Sequence, residues 1–164
     1  MEQHRPIIKI EKTRFERILD NMGMFLSGWV IVYLLMQWSS LPDNVPVHFN
    51  FAGEPDNWGH KGLIWLLLFI GISMWIGLSV LEKYPHVYNY INLTEENAEK
   101  QYKNASMMIN VIKNELLIFF ILLTWRTVQV AKGSHVNLPW WDLPVTLGIL
   151  FLTLAFLIIC SFRL

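Results

Sequence analysis

Cysteine is nearly missing from this chain. A single thiol, Cys160, excludes an intrachain disulfide and a cysteine-based zinc cluster. It lies near the end of an apolar run, where a small apolar filler is the plain reading. Charge is scarce as well: 16% of the residues are Asp, Glu, Lys or Arg, against about 25% in soluble domains. The 13 basic and 13 acidic side chains balance, so no basic excess is present to hold a nucleic acid. There is no His-Glu-x-x-His and no Gly-x-Ser-x-Gly, which removes two common signatures of zinc-dependent and serine hydrolases.

Apolar residues fill the space that charge leaves. They make up 54% of the chain, and they gather in runs long enough to cross a bilayer, for which about twenty residues suffice. The expected fold is an all-α membrane protein, one domain over 1–164, with four transmembrane helices at about 19–41, 62–81, 107–130 and 143–162. The first run is too long for a signal peptide, and Trp38-Ser39-Ser40 lacks small residues at both cleavage positions.

Before it stands a basic, amphipathic stretch with Arg5, Lys9, Lys12, Arg14 and Arg17 among Ile7, Ile8, Ile10 and Phe15. Such a stretch suits anionic lipid headgroups. Thr13-Arg14-Phe15-Glu16 fits a capping box, so the first helix should start near Arg14. Gly23 with Ser27, and Ser73 with Gly77, are small residues four apart, a spacing that lets the first two spans approach closely.

After the second span, Tyr84-Pro85 breaks the helix. Thr94 reads as an N-cap followed by Glu95 and Glu96 in the first turn. A helix from there has no stop before Gly133, giving about 55–60 Å at 1.5 Å per residue. Its polar beginning should extend into the cytoplasm. Asn110 and Asn114 share a face and suit hydrogen bonds between helices. Lys113 and Arg126 lie toward opposite ends of the third span and read as side chains that snorkel to the interface. The fourth span is a lipid-facing wall.

Lys and Arg fall unevenly. Ten lie on the side of the termini and the middle loop, and three, Lys61, Arg126 and Lys132, lie on the other. The richer side should be cytoplasmic, which puts both termini inside and the 41–62 loop outside.

That loop, LPDNVPVHFNFAGEPDNWGHKG, holds most of the special backbone residues. Pro42, Pro46 and Pro55 fix backbone angles, and Gly53 and Gly59 permit turns at positive φ. Residues 47–51 alternate like a short strand. Asp56-Asn57 suits a turn before Trp58-Gly59. The loop is therefore expected to be ordered, and His48, Asn50, Asp56, Trp58 and Lys61 are its candidate ligand-binding residues. Tyr84, Pro85 and Thr94 are candidate structural residues on the other side. His48, Asp56 and His60, with His135 from the second outer loop, are the candidate ligands of a metal.

The run Leu-Pro-x-x-x-Pro-x-His-Phe-Asn at 41–50, with Gly-x-Pro-Asp-x-Trp-Gly-x-Lys at 53–61, resembles a bacterial membrane domain of unknown function. So do Tyr84-Pro85-His86, Asn89-Tyr90 and Thr94-Glu95-Glu96-Asn97. That domain forms the N-terminal part of SdpI-type immunity proteins, which protect a producing cell from its own secreted peptide toxin and sequester a repressor at the membrane. SdpI-type proteins carry a further multi-span region, and this sequence, ending at Leu164, is similar to the short, stand-alone form. The resemblance implies a multi-pass protein of the bacterial cytoplasmic membrane. Its expected partners are the lipid bilayer and a secreted peptide or another membrane protein. No cofactor and no catalytic residue is assigned. The expected function is an immunity- or sensor-type protein that binds a peptide or envelope ligand through its outer loops. The alternatives are a metal-dependent membrane enzyme using His48, Asp56 and His60, and a scaffold or transporter subunit using Asn110, Lys113, Asn114 and Glu115.

Overall fold

The structure, a computed structural model, describes residues 5–90, 93–133, 139 and 141–162. The expectation placed on His135 lies outside these residues. Four helices are long and apolar enough to cross a membrane. They are α1 (Arg14–Gln37), α2 (Leu63–Leu81), α3 (Ala98–Ala131) and α4 (Asp142–Ser161). A two-stranded antiparallel hairpin, β1 (Asn44–Phe49) and β2 (Pro55–His60), joins α1 to α2.

Local chemistry starts α1. Thr13 is the N-cap; its hydroxyl accepts from the Glu16 amide at 3.3 Å, and its own amide donates to the Glu16 carboxylate at 2.6 Å. Two amides that the helix leaves unpaired are thus satisfied reciprocally. The start of α3 differs from expectation. Thr94 and Asn97 exchange backbone-to-side-chain bonds at 2.8 and 3.2 Å, and the helix begins only at Ala98 with Asn97 as N-cap. The Thr94 unit therefore forms a closed turn ahead of the helix.

The 34 residues of α3 make it about 51 Å long at 1.5 Å per residue, and it is the axis of the molecule. α1, α2 and α4 each pack against it, and so does β1. The apolar core joins Val30 and Leu34 of α1, Ile64 and Leu68 of α2, and Leu117, Ile121 and Val128 of α3, with Leu41 and Val45 from the hairpin. The other faces of α1, α2 and α4 are broadly apolar and exposed, as suits helices whose solvent is lipid tails.

The central α3 also changes which small residues matter. Gly23 faces α3, where an added Cβ would lie 2.7 Å from the Asn114 side-chain oxygen. Gly71 faces α3 too, with Phe120 at 2.7 Å from such a Cβ. Gly77 has open space around it, and Ser27 donates to the carbonyl of Gly23 in its own helix. The expected contact of the Gly23–Ser27 pair with the Ser73–Gly77 pair is therefore not formed; the close approaches are to α3 instead. A large side chain at Gly71 must push α2 off α3. Gly71→Val should cost about 1–3 kcal/mol, the usual range for overpacking, read as a lower unfolding temperature in detergent. Gly77→Val should leave that temperature unchanged, and equal effects at the two positions would contradict this packing.

Candidate functional site

Two regions concentrate polar chemistry, one at each end of the bundle. The first is the hairpin. Val45 and Pro46 of β1 are fully buried, and β1 packs on α3. β2 has no buried residue. The strands pair Asn44 with His60, Val45 with Gly59, Pro46 with Trp58, His48 with Asn57 and Phe49 with Pro55. The register slips by one residue around His48 and then returns, a bulge of the kind that re-aims a side chain. His48 Nδ1 and Asp56 Oδ1 then lie 2.5 Å apart on an exposed surface. Trp58 is 53% exposed.

The turn is made by Asn50, whose side-chain oxygen accepts from the amides of Ala52 and Glu54 at 2.9 and 3.0 Å. Its amide nitrogen donates to the Glu54 carboxylate at 3.1 Å. Gly53 supplies the positive φ of 79° that closes the turn. Two expectations change here. Asp56-Asn57 forms no turn but lies within β2. Gly59 has no positive φ; it sits in β2 where an added Cβ would meet Leu63 at 2.9 Å and Val47 at 3.0 Å. A glycine there permits close packing rather than a turn. Pro55 opens β2 and Pro46 is in β1, where a residue without an N–H is tolerated only outside the hydrogen-bonded ladder or on an edge. Pro42 lies exposed ahead of β1.

Lys61 closes the foot of the hairpin. Its amide donates to the Asp43 carbonyl at 2.8 Å, its ammonium lies 3.2 Å from the Asp43 carboxylate, and it sits over the Trp38 ring at 5.4 Å. His60 is turned the other way, with Nδ1 accepting from the Gly62 amide at 3.1 Å. It pairs with Asn44, four residues along β1 from His48, a separation of about 13 Å at 3.3 Å per residue. Among the described residues no three His, Cys, Asp or Glu side chains gather to hold a metal.

The second region lies at the opposite ends of α1 and α2. Lys113 of α3 is 1% exposed. Its ammonium reaches Asp20 of α1 at 3.0 Å, Glu82 after α2 at 2.6 Å and the Ser79 hydroxyl at 3.0 Å, with the Trp75 ring at 5.0 Å. Asn110 donates to both carboxylates at 3.0 Å. Asn114 donates to Asp20 at 3.0 Å and accepts from the Trp75 indole at 3.0 Å. Lys12 covers the cluster, 2.5 Å from Asp20 and 3.0 Å from Glu82. Lys113 therefore does not snorkel to an interface: two carboxylates from other elements meet it inside. Asp20 and Glu82 are the partners that sequence reasoning missed. The available signal was Asp20 at the start of the first apolar run, a position that asks for a paired charge.

Around this cluster the N-terminal stretch and the 84–90 loop are tied together. The Arg5 guanidinium donates to the Tyr88 carbonyl at 2.7 Å. The hydroxyls of Tyr88 and Tyr90 donate to the carbonyls of Leu81 and Pro85 at 2.6 and 2.8 Å. Pro85 is buried and starts a single 3-10 turn over Pro85–Val87, with Tyr84 before it. Burial pushes the Tyr88 phenol up to about 12, with the Glu82 charge adding to it. Burial raises Tyr90 as well, helped by Tyr88 and Tyr102 and opposed by Arg5. For Lys12, burial pulls downward, but hydrogen bonds to Asp20 and Glu82 outweigh it and the net shift is upward.

Removing one partner from a buried ion pair costs about 3–5 kcal/mol, because the other charge stays behind uncompensated. Lys113→Ala should therefore destabilise strongly in a detergent unfolding experiment. Adding Glu82→Gln to Lys113→Ala leaves Lys12 matched with Asp20 and should recover part of the loss. A Lys113→Ala protein as stable as the parent would refute the pairing.

The fold and these regions define a multi-pass integral membrane protein with a structured hairpin at one end and a closed charge cluster toward the other. Residues 25–72 match a domain of unknown function, DUF1648. The match takes in the second half of α1, the whole hairpin and the first half of α2. The chain is also similar to a protein of Archaeoglobus fulgidus described as an uncharacterized protein, with 23% identity over 120 residues, 66% of this chain and 63% of that protein. The chain thus spans less than two thirds of that relative's length. No solved structure matches it.

Proposed function

We propose that this chain is a membrane-embedded binding protein of the immunity or sensor type, which takes an extended peptide on its hairpin. The observation that carries this reading is the exposure of β2 along its length while β1 is anchored on α3. A two-stranded sheet ends in an edge of unpaired amides and carbonyls, and an added strand completes it. Main-chain bonds would supply affinity, while Trp58 and the His48–Asp56 pair beside it would select side chains. Asn50 and Lys61 serve the site indirectly, by holding the turn and the foot. The resemblance to SdpI-type immunity proteins favours a secreted peptide as the ligand. Among the described residues the metal-dependent alternative lacks a third ligand near His48 and Asp56, since His60 lies far along the strand. The test is protection of cells against a panel of secreted antimicrobial peptides. The triple variant His48→Ala, Asp56→Ala, Trp58→Ala should lose about tenfold or more in tolerated concentration, equivalent to about 1.4 kcal/mol of binding. Full protection by a folded triple variant would sink the proposal.

The same reading places the hairpin outside a bacterial cytoplasmic membrane, with both termini and the polar start of α3 in the cytoplasm. The unequal Lys and Arg distribution supports it. Phe51, at the hairpin turn, is 102% exposed and suits a label. In a Cys160→Ser background, Phe51→Cys should react with a membrane-impermeant maleimide in intact cells. Reaction only after lysis would reverse the topology.

A further inference from the structure

One carboxyl stands apart from both regions. Glu115 lies near the middle of α3, on the side toward α4, whereas Lys113 turns toward α1 and α2. One oxygen, Oε1, accepts from the Thr153 hydroxyl of α4 at 2.8 Å. The other, Oε2, is buried and has no hydrogen-bond partner. Thr153 is eight residues from the end of α4 at Ser161, about 12 Å at 1.5 Å per residue. The pair is therefore well inside a hydrocarbon layer about 30 Å thick. The residue as a whole is half-buried.

Among the described residues the surroundings offer no counter-charge. No Lys, Arg or His among the described residues lies within ion-pair distance of Glu115. On α1 and after α2, Asp20 and Glu82 are engaged by Lys12 and Lys113. Along α3, Arg126 is three turns further on, with its guanidinium against Trp125. On α4, residues 144–161 carry no charge, and their one titratable side chain is Cys160, about two turns from Thr153. A carboxylate here would place a full charge in the seam with one hydrogen bond, and an unpaired charge in hydrocarbon is the costliest polar arrangement available. A carboxylic acid would need no counter-ion: Thr153 would bond the carbonyl-like oxygen and the other oxygen would carry the proton.

We propose that Glu115 is an intramembrane proton-binding site in the α3–α4 seam, reactive toward lipid-soluble carbodiimides. The chemistry balances without any other reactant. The acid adds across one C=N bond of the carbodiimide, its proton going to nitrogen and its oxygen to the central carbon. The O-acylisourea then shifts its acyl group from oxygen to nitrogen, giving a stable N-acylurea. Nothing leaves, so the protein gains the mass of one reagent molecule.

The test uses the full chain in lipid nanodiscs with dicyclohexylcarbodiimide. The expected result is a single adduct located to Glu115 by fragmentation, falling as the buffer is made alkaline and lost in Glu115→Gln. Infrared spectroscopy supplies an independent readout that also covers inaccessible reagent. A protonated-carboxyl C=O band should be present in the parent and missing in Glu115→Gln. Thr153→Val should move that band to higher frequency without removing it, because only the hydrogen bond to Oε1 is lost. An infrared spectrum identical in parent and Glu115→Gln would overturn the proposal, and so would an adduct confined to Asp20 or Glu82.

Discussion

The structure depends on the need to pair one buried ammonium. Lys113 is closed off from water, and a charge in that position must find opposite charge or be lost to the fold. It finds Asp20 on α1 and Glu82 after α2. One cation thus ties three helices together at one level. Asn110, Asn114 and the Trp75 indole use up the remaining lone pairs and protons, which such a network requires if it is to stabilise rather than strain. Lys12 adds the second positive charge, so that two cations face two carboxylates. The arm before α1 is held against the bundle by this contact and by Arg5.

With that end locked, α3 distributes its faces. One face carries Asn110, Lys113 and Asn114 toward α1 and α2. Further along, Leu117, Ile121 and Val128 make the apolar core. Toward α4 the described hydrogen bonds are Gln101 with Ser161, Asn104 with the Leu157 carbonyl, and Glu115 with Thr153. Helix association in a bilayer gains little from the hydrophobic effect and relies on packing and hydrogen bonds. α4 is held by these bonds and by buried Leu157 among the described contacts, while α1 and α2 share an ion network and a core.

Legibility followed distance along the chain. The start of α1 could be read because Thr13 and Glu16 are three residues apart and the capping box is local. The four apolar runs could be read because bilayer thickness sets helix length. Order in the 41–62 loop was legible from its Pro, Gly and Asn content, but its form was only half so. The turn chemistry of Asp56-Asn57 and of Asn50 is similar on paper. Which one turns is decided by cross-strand pairing and by the seat of Val45 on α3, and neither is local. Gly59 likewise looks like a turn residue until Leu63 and Val47 are seen against it. Lys113 was misread for the same reason. Its partners lie in α1 and just past α2, and only the packing of both helices on α3 brings them together.

That pattern bears on where a ligand can act. A site made of local chemistry, such as the Asn50 turn, spends its polar groups on its own backbone and has none left for a partner. The charge cluster spends its groups across helices and is equally closed. The hairpin differs because its anchoring is one-sided. Val45 and Pro46 commit β1 to the bundle, and the register slip brings His48 and Asp56 together on the exposed surface. Apart from the Trp58 amide, which donates to the Asn57 side-chain oxygen at 2.9 Å, the outer edge of β2 lies along an exposed strand. On the proposed reading, a strand rigid on one side and open on the other would need little ordering to take a peptide, so less of the binding energy would be lost to entropy. The hairpin is suited to a partner less by its reactive side chains than by an exposed outer strand and a shape that is already set.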